Sequence, residues 1–241
     1  MSVKLGLHRL FPIYFVIIFL FVLSAIWGSK ATTVMSENKP ILGRTCIILD
    51  AGHGGEDGGA VSCTGVCESQ INLEIALRLE NLLHFLGYDT SMIRTTDRSV
   101  YTAGETIAAR KVSDLKERVR IVNEAENALL VSIHQNYFTD GKYSGAQVFY
   151  STHTQSRSLA EHIQSELVRH LNPGSNRKSK KADGIYVMEH VCCPSVLIEC
   201  GFLSNPEEEA KLRNSEYQKA LSCVIATALS QHIALDASAN D

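Results

Sequence analysis

From Thr45 onward the chain alternates short runs of consecutive apolar residues with longer stretches in which apolar positions recur every three or four. The first run, Thr45–Asp50 (TCIILD), is rich in β-branched residues and breaks into the glycine-rich segment AGHGGEDGGA, the pattern of a buried strand ending in a loop. Ile71, Ile75, Leu79, Leu82 and Leu86 then share one helical face, with Ser69 placed to cap the start and Gly87 to stop the end. Further strands are predicted at Tyr88–Arg94, Leu129–His134, Gly145–Tyr150, Gly184–Met188 and Ser195–Glu199. Further helices are predicted at Asp114–Glu126, Ser156–Leu171, Pro206–Leu212 and Glu216–Ile233. Apolar strands alternating with amphipathic helices imply an α/β fold of three layers, α/β/α, whose mostly parallel sheet of about six strands is covered on both faces.

The N-terminus follows a different pattern. No charge interrupts Leu10–Ser29 (LFPIYFVIIFLFVLSAIWGS), which as a helix rises about 30 Å, the thickness of a bilayer's hydrocarbon core. Lys4 and Arg9 precede it and only Lys30 follows closely, so the positive-inside bias leaves residues 1–9 in the cytoplasm and carries the remainder outside. The expectation is a single-pass transmembrane signal anchor at 10–29 in the cell membrane. The alternative is a signal peptide cleaved near Ser29–Ala31, which yields a secreted form. Residues 30–40 read as a tether, 41–235 as one folded domain and 236–241 as a tail.

Composition narrows the partners. The chain of 241 residues is 45% hydrophobic and 20% charged, which excludes disorder and collagen-like repeats. Of its 23 basic and 26 acidic residues, four basic and one acidic lie in the first 39, so the body is acidic. Such a body offers no broad basic surface for a nucleic acid, and no nucleic-acid partner is expected. The basic cluster Arg177, Lys178, Lys180 and Lys181 reads as a solvated loop, with contact to an anionic wall polymer as the alternative.

In open α/β sheets functional groups gather where strands finish. Here the first, third and sixth strands finish at His53, His134 and Glu199, and Glu68 precedes the first long helix, within reach of the same edge. Two imidazoles and one carboxylate form a usual catalytic zinc set with a fourth position for water, and a second carboxylate is then free to move a proton.

The motifs GHGGEDGGA (Gly52–Ala60), Glu68 ahead of a helix, SIHQN (Ser132–Asn136), SGAQVFY (Ser144–Tyr150) and IECGFLSNPEE (Ile198–Glu208) resemble, in order, those of the zinc-dependent N-acetylmuramoyl-L-alanine amidases. The resemblance runs from about Thr45 to Ile233. ARKVSDLKERVRIVN (Ala109–Asn123) and the lone N-terminal membrane segment are most similar to the germination-specific subgroup of spore-forming bacteria. The resemblance implies one zinc per chain held by His53, Glu68 and His134, with Glu199 as the catalytic glutamate. It implies hydrolysis of the amide between N-acetylmuramic acid and L-alanine of peptidoglycan, in the spore cortex during muramic-δ-lactam formation and germination. Asn136 is expected either to hydrogen-bond substrate or to cap the turn after its strand. Ligands split between distant loops suggest an accessory protein that orders the zinc site. The chain departs from the family pattern at Ala51, where proline is usual, and at Gln70, Gln135 and Cys200, none of which removes a ligand.

Two rival functions stay open at this point: another zinc amide hydrolase, either peptidase or deacetylase, and a wall-binding protein without turnover. Seven cysteines are an odd number. Cys63 and Cys67 either staple the loop before Glu68 or stay as thiols, while Cys46, Cys200 and Cys223 read as small buried core residues.

Overall fold

The computed structural model describes residues 45–239; the segments expected as cytoplasmic N-terminus, anchor and tether lie outside the described residues. The chain divides after Leu42, and the described residues belong to the second of its two units.

Six strands, β1 (Cys46–Ala51), β2 (Asp89–Met92), β3 (Ala128–Asn136), β4 (Gln147–Tyr150), β5 (Lys180–Lys181) and β6 (Ser195–Phe202), form one sheet in the order β2-β1-β3-β6-β4-β5. Every neighbouring pair is parallel except β6 with β4. That exception follows from chain length. Residues 137–146 join β3 to β4 without a helix, and a parallel return needs a crossover of about a dozen residues. Mixed α/β architecture with a mostly parallel six-stranded sheet is therefore as expected.

The helices are α1 (Glu68–Phe85), α2 (Ile107–Glu124), α3 (Ser156–His170), α4 (Tyr186–His190), α5 (Pro206–Leu212) and α6 (Ser215–Ala239). Alternation along the strands sorts them into two layers. Ile47, Leu49, Val131 and Ile133 point to one face and pack with Ile75 and Leu79 of α1, Leu159 and Ile163 of α3, and Leu221 and Ile225 of α6. Ile48, Leu130 and Leu197 point to the other, against Val122 of α2 and Val187 and Met188 of α4. Within the described residues one helix, Ser215–Ser238, is long and apolar enough to cross a membrane, but its Leu221, Ile225, Ala228 and Leu229 are fully buried in the first of these cores. It is a core helix, and it runs on to Ala239, into the segment read from sequence as a tail.

Several local expectations are corrected. The strand expected at Gly184–Met188 is instead α4, and the fifth strand is Lys180–Lys181. Gly184 takes a φ of 72° that turns the chain, and the consecutive Val187 and Met188 both reach one core, which a strand's alternation forbids. The basic cluster is thus partly a charged edge strand, a form that discourages further pairing. Helix α2 starts at Ile107 rather than Asp114, because Thr106 caps it by accepting from the amide of Ala109 at 3.2 Å. The N-cap of α1 is Cys67, without a side-chain bond, rather than Ser69. All seven cysteines are free thiols; Cys200 is buried as expected, but Cys223 is exposed and Cys46 half-buried.

Candidate functional site

The carboxyl ends of β1, β3 and β6 lie side by side, because β3 pairs with both neighbours in parallel register. Ala51 is level with Ile133, and His134 is level with Glu199, so the three strand ends deliver their polar residues to one edge. Helix α1 begins above it, with Glu68 in its first turn, where the exposed amides of a helix N-terminus favour a carboxylate.

His53, Glu68 and His134 converge so that one donor atom from each lies within 4.8 Å of the others. His53 Nε2 is 3.3 Å from Glu68 Oε2, and His134 Nδ1 is 3.0 Å from Glu68 Oε1. Two glycines make room for this approach. A Cβ on Gly52 would fall 2.1 Å from His134 Nε2, and one on Gly59 would fall 2.6 Å from Glu68 Oε2. Asp57 accepts from His53 Nδ1 at 2.8 Å, which leaves the lone pair of Nε2 directed at the Glu68 carboxylate. Two acceptors facing each other at that distance are stable only with a proton or a cation between them, and an imidazole backed by a carboxylate is a usual metal-ligand arrangement. The donor set therefore fits a divalent metal.

The two glutamates differ in surroundings. Glu68 is buried, which alone would raise its pKa, yet the hydrogen bond and charge of His134, the charge of His53 and the amide of Ala60 bring it down to about 2. Asn72 Nδ2 and the amide of Gln135 also donate to it. Glu199 is half-buried, with its Oε2 shielded from water and without a hydrogen-bond partner among the described residues. Burial raises its pKa to about 7, with Glu68 adding repulsion and His134 partly offsetting both. His134 itself is shifted upward, since Glu68 and Glu199 outweigh the cost of burying its charge.

A profile of the N-acetylmuramoyl-L-alanine amidase family matches residues 47–231. The chain belongs to that family. It is 41% identical over 181 residues to the germination-specific N-acetylmuramoyl-L-alanine amidase of Bacillus subtilis, a match covering 74% of this chain and 75% of that one. It is 32% identical to the amidase LytC of Bacillus subtilis over 78% of this chain, but only 35% of LytC is spanned. Among solved structures, the CwlD amidase of Clostridioides difficile in complex with the GerS lipoprotein is similar at a TM-score of 0.76 and 37% identity, covering 79% of this chain and 99% of that one.

Around the amidase site the structure adds residues that the sequence reading passed over. Arg94 is fully buried and donates to the carbonyls of Ala51, Gly52, Thr96 and Ser69. Arg118 donates to the carbonyls of Ala51 and His53 and is ion-paired with Asp50 and Asp114. Ser99 holds the carbonyl of Gly54 at 2.7 Å. Together they pin a loop in which His53 adopts a φ of 59°, a left-handed conformation uncommon for residues other than glycine. The signal for Asp57 was available, four residues after His53 in the same motif; the arginines carry no local signal. Asn136 is half-buried at the end of β3; its carbonyl accepts from Leu203, and its side chain forms no hydrogen bond within the described residues. The capping role considered for it is therefore not seen.

Proposed function

We propose that this amidase acts outside the cell membrane on peptidoglycan, hydrolysing the amide between N-acetylmuramic acid and L-alanine, and that its setting is the spore cortex. The observation that carries the reading is the convergence of His53, Glu68 and His134 beside the half-buried Glu199, whose Oε2 has no partner among the described residues. The germination-specific relative supports the cortex setting. Zinc is the metal this donor set suits, one per chain, held by His53, Glu68 and His134. When bound, it supplies a Lewis acid that polarises the scissile carbonyl and makes water more nucleophilic.

The chain's own residues supply the remainder. Glu199, level with His134 on the neighbouring strand, is placed to accept a proton from the attacking water and return it to the departing alanine nitrogen. Asp57 and Asn72 keep His53 and Glu68 in their orientations. Asn136, with no internal partner for its side chain, is assigned to the substrate as a hydrogen-bonding group. The uncharged segment 10–29 supports anchoring of the catalytic domain on the outer side of the membrane. An accessory protein that orders the site is supported by two facts: CwlD was solved with the GerS lipoprotein, and the ligands here come from a glycine-rich loop, a helix start and a strand.

The test is to incubate the metal-loaded full chain with purified cortex peptidoglycan and analyse the products. Stem peptides released with a free L-alanine amine are expected. Cuts within the peptides would instead indicate a peptidase, released acetate a deacetylase, and retained binding without products a wall-binding protein.

A further inference from the structure

One surface feature lies next to the site but takes no part in the chemistry above. After Asn136 the chain leaves β3 into residues 137–146, where Tyr137 and Phe138 expose half their surface (50% and 51%) and Tyr143 exposes 39%. Exposed aromatic rings at this density are unusual in a segment that is also well tethered. The amide of Phe138 donates to Ser204 Oγ at 3.1 Å, Asn205 Nδ2 donates to the carbonyl of Tyr143 at 3.2 Å, and the amide of Leu203 donates to the carbonyl of Asn136 at 2.8 Å. The segment is thus fastened to Leu203–Asn205, the stretch that follows the end of β6.

The rings also order one another. Phe138 meets Tyr143 edge to face with centroids 5.0 Å apart, and Tyr143 lies 6.1 Å from Phe202, whose other neighbour is the Arg177 guanidinium at 5.0 Å. Two cations border the rings: Lys142, 2.6 Å from Asp140, has its Nζ 5.3 Å from the Tyr143 centroid, and Arg177 lies over Phe202 while its Nε donates to the carbonyl of Ser144 at 3.0 Å. What is presented to solvent is a fixed aromatic shelf led by Tyr137 and Phe138, and a ligand with apolar faces and polar edges matches it.

We propose that Tyr137, Phe138 and Tyr143 form a saccharide subsite that stacks pyranose rings of the glycan strand flanking the scissile muramoyl residue. This rests on the peptidoglycan reading above for the identity of the polymer, and on the shelf itself for the sugar class. The consequence is that the enzyme reads the glycan on either side of its target as well as the bond it cleaves.

The experiment titrates the full chain with a neutral β-1,4-linked N-acetylglucosamine tetramer and, separately, with free stem tetrapeptide, following both by saturation-transfer NMR. The tetramer should bind, Phe138→Ala should weaken it roughly fivefold to tenfold, and Phe138→Trp should restore it. Tyr137→Ala, an equally exposed position, should weaken it in the same direction, with melting temperatures unchanged in all three variants. The proposal is overturned if the tetramer fails to bind, binds all variants equally, or if the tetrapeptide is the ligand whose binding Phe138→Ala weakens. Because this readout needs no turnover, failure of the amidase assay leaves it interpretable.

Discussion

Glu68 and Glu199 sit at the same edge of one sheet, and the protein handles their charges in opposite ways. Glu68 is met by His134, His53, Asn72 and the amides of Ala60 and Gln135, and its pKa falls to about 2. Glu199 is half-buried without a comparable set of donors among the described residues, and its pKa rises to about 7. Both are glutamates, so the contrast is environmental. A carboxylate kept ionised is suited to hold a cation, and one poised between its two forms is suited to carry a proton.

Removing the ligand side should have the largest effect. Glu68→Ala or His134→Ala is expected to abolish both bound metal and turnover, checked by metal stoichiometry alongside the amine-release assay; full metal occupancy in either variant would break the assignment. On the proton-carrying side, Glu199→Gln should keep the metal and lower kcat by about 10²–10⁴-fold, the usual range for a general acid–base group. Unchanged kcat would remove Glu199 from the reaction.

The pH dependence of stability sharpens the contrast, because the two shifts have opposite signs. In metal-free protein, Glu68 has a folded pKa below its unfolded value, so its contribution is present above about pH 4.5 and is lost as pH falls toward 2. Glu199 has a folded pKa above its unfolded value, so the fold favours its protonated form and loses that advantage as pH rises from 4.5 through 7. Glu199→Gln should therefore raise the stability of chelator-treated protein at pH 8, by up to about 3 kcal/mol, and leave it unchanged at pH 4. Thermal melting at the two pH values checks this, and an equal shift at both would contradict the assigned cause.

Asp57→Asn tests the outer support of the ligand side. It keeps the shape but weakens the carboxylate's hold on His53 Nδ1, and metal affinity should fall about 10–100-fold while the fold is retained. Competition with a chelator measures it. An unchanged affinity would mean that the arginine-held backbone alone orients His53.

Much of this arrangement was legible before any coordinates. The runs Thr45–Asp50, Leu129–His134 and Ser195–Glu199 read as strands because their apolar residues are continuous, with His53, His134 and Glu199 as polar groups at their ends, and the structure places strands there at Cys46–Ala51, Ala128–Asn136 and Ser195–Phe202. The strand expected at Gly184–Met188 is instead the helix Tyr186–His190, because an apolar stretch as short as Ile185–Met188 fits either periodicity and the choice is made by a turn at Gly184 and by the core it packs on. Arg94 and Arg118 were passed over because nothing local marks a buried arginine. Most of their carbonyl partners, at Ala51, Gly52, His53 and Ser69, lie 25 to 67 residues distant and are brought near by the fold.

By itself, then, the amino-acid sequence determined what depends on near neighbours: the alternation of strands and helices, the family motifs, and the ligand types at the strand ends. Tertiary structure decided how each group behaves. The grip of two buried arginines on the His53 loop and the separation of Glu68 from Glu199 in acidity depend on contacts between residues far apart in the chain. A carboxylate's pKa is set by the water it has lost and the charges and donors it meets, and those exist only once the strands have paired in register.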